Sequence, residues 1–160
     1  MPGEPLTATD VKLLELLQQN ARLSNVTLAK RVGLSPSACL RRVRALEEQR
    51  YIRSSVTLLD PRRLGLGVSV FIQVSLEKKD EATLRRFERT MTQRPEVMEC
   101  YLMTGDSDYL LRVVVSDVAA FERFLMEHLT KIPGIATIKS SFTLNQVKYT
   151  TSLPLETIDR

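Results

Sequence analysis

The feature that most constrains this chain is a repeat in its second half, where a strand, a helix, a proline and a strand occur twice in that order. The first copy opens with VSVFIQVSL at Val68, whose alternation is typical of a half-buried strand. A helical pattern follows, breaks at Arg94-Pro95, and leads to a strand from Val97 to about Met103. We predict that these residues face inward: Val68, Val70, Ile72, Val74, Leu76, Leu84, Phe87 and Met91.

The second copy begins at Asp108 with DYLLRVVV and continues through the helical pattern DVAAFERFLMEHL. It stops at Ile132-Pro133-Gly134, and a long strand begins at Ile135. The inward residues of this helix are predicted to be Val118, Phe121, Leu125 and Leu129. Two such copies make βαββαβ, the ferredoxin-like arrangement, and residues 104–107 join the middle two strands along the chain.

In that arrangement the helices cover only one face of the sheet. The other face needs a partner surface, and a second copy of the same chain is the simplest one. The pattern therefore predicts a homodimer formed through the sheets.

The N-terminal part predicts three helices. Thr7 and Asp10 form a possible capping box for the first, and the second begins at Ser24 and stops at Gly33. The third begins at Ser35-Pro36 and runs to about Gln49. Only three residues separate the second and third helices, which is typical of a helix-turn-helix.

The third helix has an inward and an outward side. Helical spacing places Cys39, Leu40, Val43 and Leu46 inside, and Ser37, Arg41, Arg44 and Ala45 outside, with Ala38 and Arg42 at the margins. Small residues near the helix start allow close approach to base edges, and arginines donate to guanine or phosphate. The plain alternative is a solvated basic face on a three-helix core.

Charge distribution favours the DNA interpretation. Residues 1–65 carry eleven Lys and Arg against six Asp and Glu, whereas the remainder carries twelve against thirteen. A basic first part and a near-neutral second part predict a polyanionic partner for the first part only. We predict a DNA-binding domain over 1–52, a linker or small wing over 53–67, and a ferredoxin-like domain over 68–160, so that the fold class is α+β.

The segment TGDSDYLLRV places Asp106 and Asp108 close together behind Gly105. Such carboxylates serve in catalysis, in a metal site, as a ligand clamp or as a plain solvated turn. The one histidine lies in a helical pattern, and the two cysteines have no metal-binding spacing, so we predict no enzyme, no catalytic residue, no metal site and no cofactor. A ligand clamp needs fewer groups than a catalytic or metal site. Main-chain N–H groups at Gly105 can bind a carboxylate, and an aspartate can bind an ammonium.

No apolar run is long enough to cross a bilayer, so we predict a cytoplasmic protein without membrane contact.

With the helix-turn-helix, the segments LLDPRRLGLG, TGDSDYLLRV, IPGI and VKYTTSLP resemble the Lrp/AsnC (leucine-responsive, feast/famine) family of transcription regulators over about residues 6–154. The resemblance implies a winged-type helix-turn-helix domain, an amino-acid-sensing and oligomerising ferredoxin-like domain, and dimers that often assemble into octamers.

The resemblance also implies site residues. Those that match the DNA-reading helix are Ser35, Ser37, Ala38, Arg41 and Arg42. Those that match the effector site are Thr104, Gly105, Asp106 and Asp108, with Ser140 and Ser141 near the hydroxyls that assist in some members. Ser107 departs from the family, where a bulkier residue is common.

We therefore predict a sequence-specific regulator that binds double-stranded DNA and whose DNA binding or assembly responds to an amino acid. The first alternative is an architectural DNA-binding protein that needs no effector. The second is the regulatory subunit of an enzyme, which leaves the basic helix-turn-helix unexplained.

Overall fold

The computed structural model describes residues 5–157 and divides them into two compact units, one of residues 5–58 with 148–157 and one of residues 59–147. The predicted second domain is residues 68–160. In the structure, residues 148–157 lie with the first unit, where the Gln18 side chain donates to the Leu153 carbonyl and accepts from the Leu153 N–H, both at 3.0 Å. This pairing joins residues 135 positions apart, so the spacing of residues within a helix does not indicate it.

Three helices form the first unit: α1 (Ala8–Gln19), α2 (Asn25–Val32) and α3 (Pro36–Glu48). Their predicted starts are confirmed, because the side chains of Thr7, Ser24 and Ser35 each accept a main-chain N–H of the first turn. Gly33 ends α2 in the left-handed conformation, at φ 70°. Residues 53–60 form no strand, and a short 3-10 turn, Leu155–Thr157, lies in the tail.

The core of the first unit comprises Leu13, Leu16, Leu28, Ala29, Cys39 and Leu46. The predicted inward position of Leu40 is wrong, since this side chain is 41% exposed. On an α-helix Leu40 lies about 100° from Cys39, whereas Arg42 lies only about 60° away on the other side. The buried face of α3 is therefore turned toward Arg42 and away from Leu40.

The second unit has the predicted order β1 (Val68–Leu76), α4 (Glu81–Thr92), β2 (Val97–Leu102), β3 (Tyr109–Val115), α5 (Val118–Phe124) and β4 (Ile135–Phe142). The strands form one antiparallel sheet in the order β2-β3-β1-β4, which confirms the ferredoxin-like topology. Alternate residues of β1 and β3 pack with both helices in the core.

One inward prediction fails in α5. Val118 is 61% exposed, and Phe124 is buried in its place. Both lie about 60° from Phe121 on an α-helix, on opposite sides, so spacing alone does not decide between them. The helix continues as a wider π-helical turn, Leu125–Leu129, in which the Thr130 N–H donates to the Leu125 carbonyl at 2.9 Å.

The opposite face of the sheet is not part of this core. Phe71 lies opposite Arg112 of β3 and Ser141 of β4, and Tyr101 lies opposite Leu110. Phe71 is 36% exposed and Tyr101 51% exposed. Arg112 forms an ion pair of 2.8 Å with Glu99 on this face.

Candidate DNA-reading surface and effector turn

Helix α3 is held against α2 at its start. The Asn25 side chain donates to the Pro36 carbonyl at 2.6 Å, across the three-residue turn that contains Gly33. This bond and the shared core fix two helices in a helix-turn-helix arrangement, in which the second helix of the pair is the one that enters the major groove.

The outward side of α3 matches the predicted DNA-reading residues with one exception. Ser35, Ser37, Arg41 and Arg44 are exposed, and Ala38 is half-buried near the helix start. Within residues 5–157, neither Arg41 nor Arg44 forms an ion pair, so both guanidinium groups remain available to an outside acceptor.

Arg42 is the exception. Its Nη1 donates to the Asp10 carboxylate and, at 3.0 Å, to the Thr7 hydroxyl. Asp10 is only 8% exposed and also accepts the Thr7 N–H at 2.9 Å. Burial acts to raise the pKa of Asp10, but the hydrogen bonds from Arg42 and Thr7 outweigh it and lower the pKa. The predicted DNA contact of Arg42 is not what the structure shows, because Arg42 meets the capping box of α1, 32 positions away in the chain.

The second candidate site is the turn between β2 and β3. It is closed at its base, where the Met103 N–H donates to the Asp108 carbonyl at 2.8 Å and the Asp108 N–H donates to the Val74 carbonyl at 2.9 Å. Gly105, at φ 117°, takes a conformation that favours glycine. In the described chain, the main-chain N–H groups of residues 104–107 donate to no main-chain acceptor. Main-chain N–H groups left free in a turn are open to an anion.

The two aspartates of this turn have different surroundings. Asp106 is exposed, and its carboxylate has no hydrogen bond or ion pair within the part of the chain described. Only its main-chain carbonyl is engaged, since it accepts the Ser75 hydroxyl at 3.3 Å. This carboxylate is therefore open to a cation.

Asp108 is 6% exposed, and both of its carboxylate oxygens have donors. One accepts the Leu76 N–H at 2.8 Å, and the other accepts Lys79 Nζ at 2.7 Å. The β1–β4 register shifts between Ser75 and Leu76, so Asp108 supplies an acceptor where the ladder is irregular. The Leu76 N–H, and then Lys79, lower the pKa of Asp108. Asp108, which the sequence suggests as a ligand contact, thus holds the turn to β1.

Ser140 and Ser141 lie on β4, opposite Ile72 and Phe71 of β1. The turn of residues 104–107 lies beside Ser75, which is three to four residues further along β1, or about 10–13 Å. It also belongs to the strand on the other side of β1. A single copy of the chain therefore does not bring the two serines to the turn.

A cleft at the opposite end of the sheet was missed by sequence analysis. It has a volume of about 290 Å³, and its polar lining includes Glu96, Arg123, Glu127 and His128. Nδ1 of His128 lies 3.4 Å from Nη1 of Arg94, and one oxygen of Glu96 is buried without a hydrogen-bond partner. Over residues 5–157 no group of three or more His, Cys, Asp or Glu is placed to hold a metal, and no helix is long and apolar enough to cross a membrane.

Comparison with known families gives one matching model for each half of the chain. Residues 6–53 match a winged helix-turn-helix DNA-binding model, and residues 69–153 match the Lrp/AsnC ligand-binding domain. The chain belongs to the Lrp/AsnC family. Membership confirms the resemblance in the sequence and identifies a DNA-binding transcriptional regulator with a ligand-binding domain.

Relatives of this Lrp/AsnC chain cover nearly its whole length. The Bkd operon transcriptional regulator of Pseudomonas aeruginosa is 49% identical over 94% of this chain and 98% of its own. The leucine-responsive regulatory protein of Escherichia coli is 37% identical over 98% and 95%. A transcriptional regulator of Neisseria meningitidis, solved as its L-Met complex, is 42% identical with a TM-score of 0.90 over 94% of this chain and 97% of its own.

Proposed function

We propose that this Lrp/AsnC regulator reads DNA with the outward side of α3 and that a free amino acid bound at the turn 104–107 changes its DNA binding or its assembly. The observation that carries the effector half is the pairing, in one turn, of four free main-chain N–H groups with the unpartnered carboxylate of Asp106.

An α-amino acid presents complementary groups to this turn. Its carboxylate fits the N–H groups of residues 104–107, and its ammonium fits Asp106. Two relatives support the class of ligand, since one is named for its response to leucine and another was solved with L-Met. Asp108 takes no part in ligand contact in this proposal, because both of its oxygens are already occupied.

DNA recognition is assigned to Ser35, Ser37, Ala38 and Arg41, with Arg44 available for phosphate. Exposed arginines without a partner donate to guanine or to phosphate, and the small residues near the helix start permit close approach to bases. Such a protein acts where DNA is present, in the cytoplasm, and performs no catalysis.

The active form is proposed to be a dimer joined through the open sheet face, with larger assemblies such as an octamer built from dimers. A second copy could supply Ser140 and Ser141 to the turn of the first, which a single chain does not do. Partly exposed Phe71 and Tyr101 on that face are the kind of apolar surface that a partner covers.

The effector half is tested by thermal unfolding with each of the twenty amino acids and by DNA titration with and without the best ligand. A ligand that binds only the folded state raises the unfolding temperature. Asp106→Asn should abolish the response and leave DNA affinity without ligand unchanged. Glu122→Gln, which removes an exposed carboxylate on α5, should respond as the unaltered protein does. If no amino acid shifts unfolding or DNA binding, the architectural alternative replaces this proposal.

A further inference from the structure

We propose that Arg42 is a positioning residue of the DNA-reading helix: it fixes α3 to the start of α1 through Asp10 and so sets the direction in which Arg41 meets the DNA. This inference rests on DNA reading by α3, as proposed above. It differs from the assignment of Arg42 to direct DNA contact that the family resemblance implies.

The geometry joins three groups on one carboxylate. Asp10 accepts from the Thr7 N–H, from the Thr7 hydroxyl and from Arg42 Nη1, which also donates to the Thr7 hydroxyl. The Asp10 side chain is 12% exposed, and the Arg42 side chain 38%. Removal of Arg42 leaves the nearly buried Asp10 carboxylate without a cation, so the pair resists exchange with an outside group.

The core contacts between α1 and α3 are apolar. Leu13 and Leu16 of α1 share a core with Cys39 and Leu46 of α3. Apolar contacts are non-directional, whereas a charged hydrogen bond has a fixed geometry. The bonds from Arg42 to Asp10 and to Thr7 therefore supply directional contacts between α3 and the start of α1.

Orientation matters because Arg41 is long. Helical Cα atoms lie about 2.3 Å from the axis, and the guanidinium reaches several ångströms further. A rotation of α3 by about 10° moves that group by on the order of 1 Å, whereas an effective site holds its groups within about 0.5 Å. Base reading is sensitive to such a change, but general attraction to phosphate is not.

Two single variants of the full chain separate positioning from phosphate contact. Arg42→Gln removes the cation, and Asp10→Asn removes its partner while leaving the cation free. If Arg42 positions α3, both should lower the ratio of affinity for a site selected in vitro over random-sequence DNA, by a similar factor of about fivefold or more. The double variant should be no worse than either single one, because both remove the same bond.

The salt dependence of DNA binding distinguishes the loss of a phosphate contact from the loss of helix positioning. A lost phosphate contact weakens binding to all DNA and lowers the salt slope by about one unit. The proposal would be overturned if Arg42→Gln behaved in this way while Asp10→Asn bound DNA as well as or better than the unaltered protein. Glu47→Gln removes another exposed carboxylate of the same helical unit and controls for the change in charge.

Two further measurements apply if the single variants lose helical structure. Arg42→Lys keeps a cation for phosphate, but its ammonium lies one bond nearer the main chain than the Nη1 that donates to both Asp10 and Thr7. Positioning therefore predicts reduced discrimination between sites, and phosphate contact predicts unchanged discrimination. In the unaltered protein, the Asp10 carboxyl ¹³C resonance should stay unchanged when random-sequence DNA is added. A shift that tracks DNA occupancy would show that Arg42 leaves Asp10 for phosphate and would refute positioning.

Discussion

Asp108 is a nearly buried carboxylate that accepts from the Leu76 N–H and from Lys79. Asp108→Ala should lower the free energy of unfolding by about 1–3 kcal/mol, because the Leu76 N–H loses its acceptor at the irregular end of β1. Asp106→Ala, in the same turn but exposed, should change it by no more than about 0.5 kcal/mol. Urea unfolding of both variants measures the difference; equal losses would mean that the bonds to Asp108 add no stability.

The same carboxylate makes stability depend on acid. The pKa of Asp108 is lowered in the folded chain, while in the unfolded chain it returns to about 3.9. The unfolded state therefore takes up the proton first, so this contribution is present above about pH 4 and is lost as the pH falls through the folded pKa. Urea midpoints from about pH 6 to pH 3 should fall less for Asp108→Asn than for the unaltered protein. If the urea midpoints of the two proteins fall in parallel, Asp108 is not the source of this acid dependence.

Arg41 is exposed on α3 without an ion pair in the described structure. Arg41→Ala should cost about 1–3 kcal/mol of discrimination at one base position, since a bidentate donor to a base edge is removed. Site selection from random DNA, compared with Arg22→Ala outside the reading helix, measures this. An unchanged preferred site would place base reading on other residues.

At the scale of helices and strands, sequence alone identified what depends on local spacing and capping. The starts of α1 at Thr7 and α3 at Ser35 followed from residue types whose side chains accept first-turn N–H groups. The alternation of β1 gave its buried side correctly. These features depend on neighbours a few residues away, which the sequence shows directly.

The missed features depend on partners distant in the chain. In the ion pairs Arg42–Asp10 and Asp108–Lys79, the two charged residues come from different helices, strands or loops. Exposed Val118 and buried Phe124 reflect the direction in which α5 meets the sheet. The spacing of residues within one helix or strand does not determine which other element it packs against. The different surroundings of Asp106 and Asp108 are therefore visible only in the three-dimensional structure.

For the whole molecule, the second unit should fold and associate without the first. Its core lies within residues 59–147, and its open sheet face carries partly exposed Phe71 and Tyr101. We expect a fragment of residues 59–147 to be a folded dimer by light scattering with a cooperative thermal transition. Phe71→Asp should give a folded monomer, because it places a charge in the proposed interface. A wild-type fragment that is cooperative and monomeric would contradict association through this face.

The first unit draws on both ends of the chain, since residues 148–157 join residues 5–58 through Gln18 and Leu153. Proteins are synthesised from the N-terminus, and early domains usually fold while later ones are still being made. Here the helical unit can form its core early, but Gln18 meets its partner only after the segment around Leu153 has left the ribosome. A message with a premature stop before that point yields a chain in which the DNA-reading unit lacks both of these bonds, even though every residue of its three helices is present.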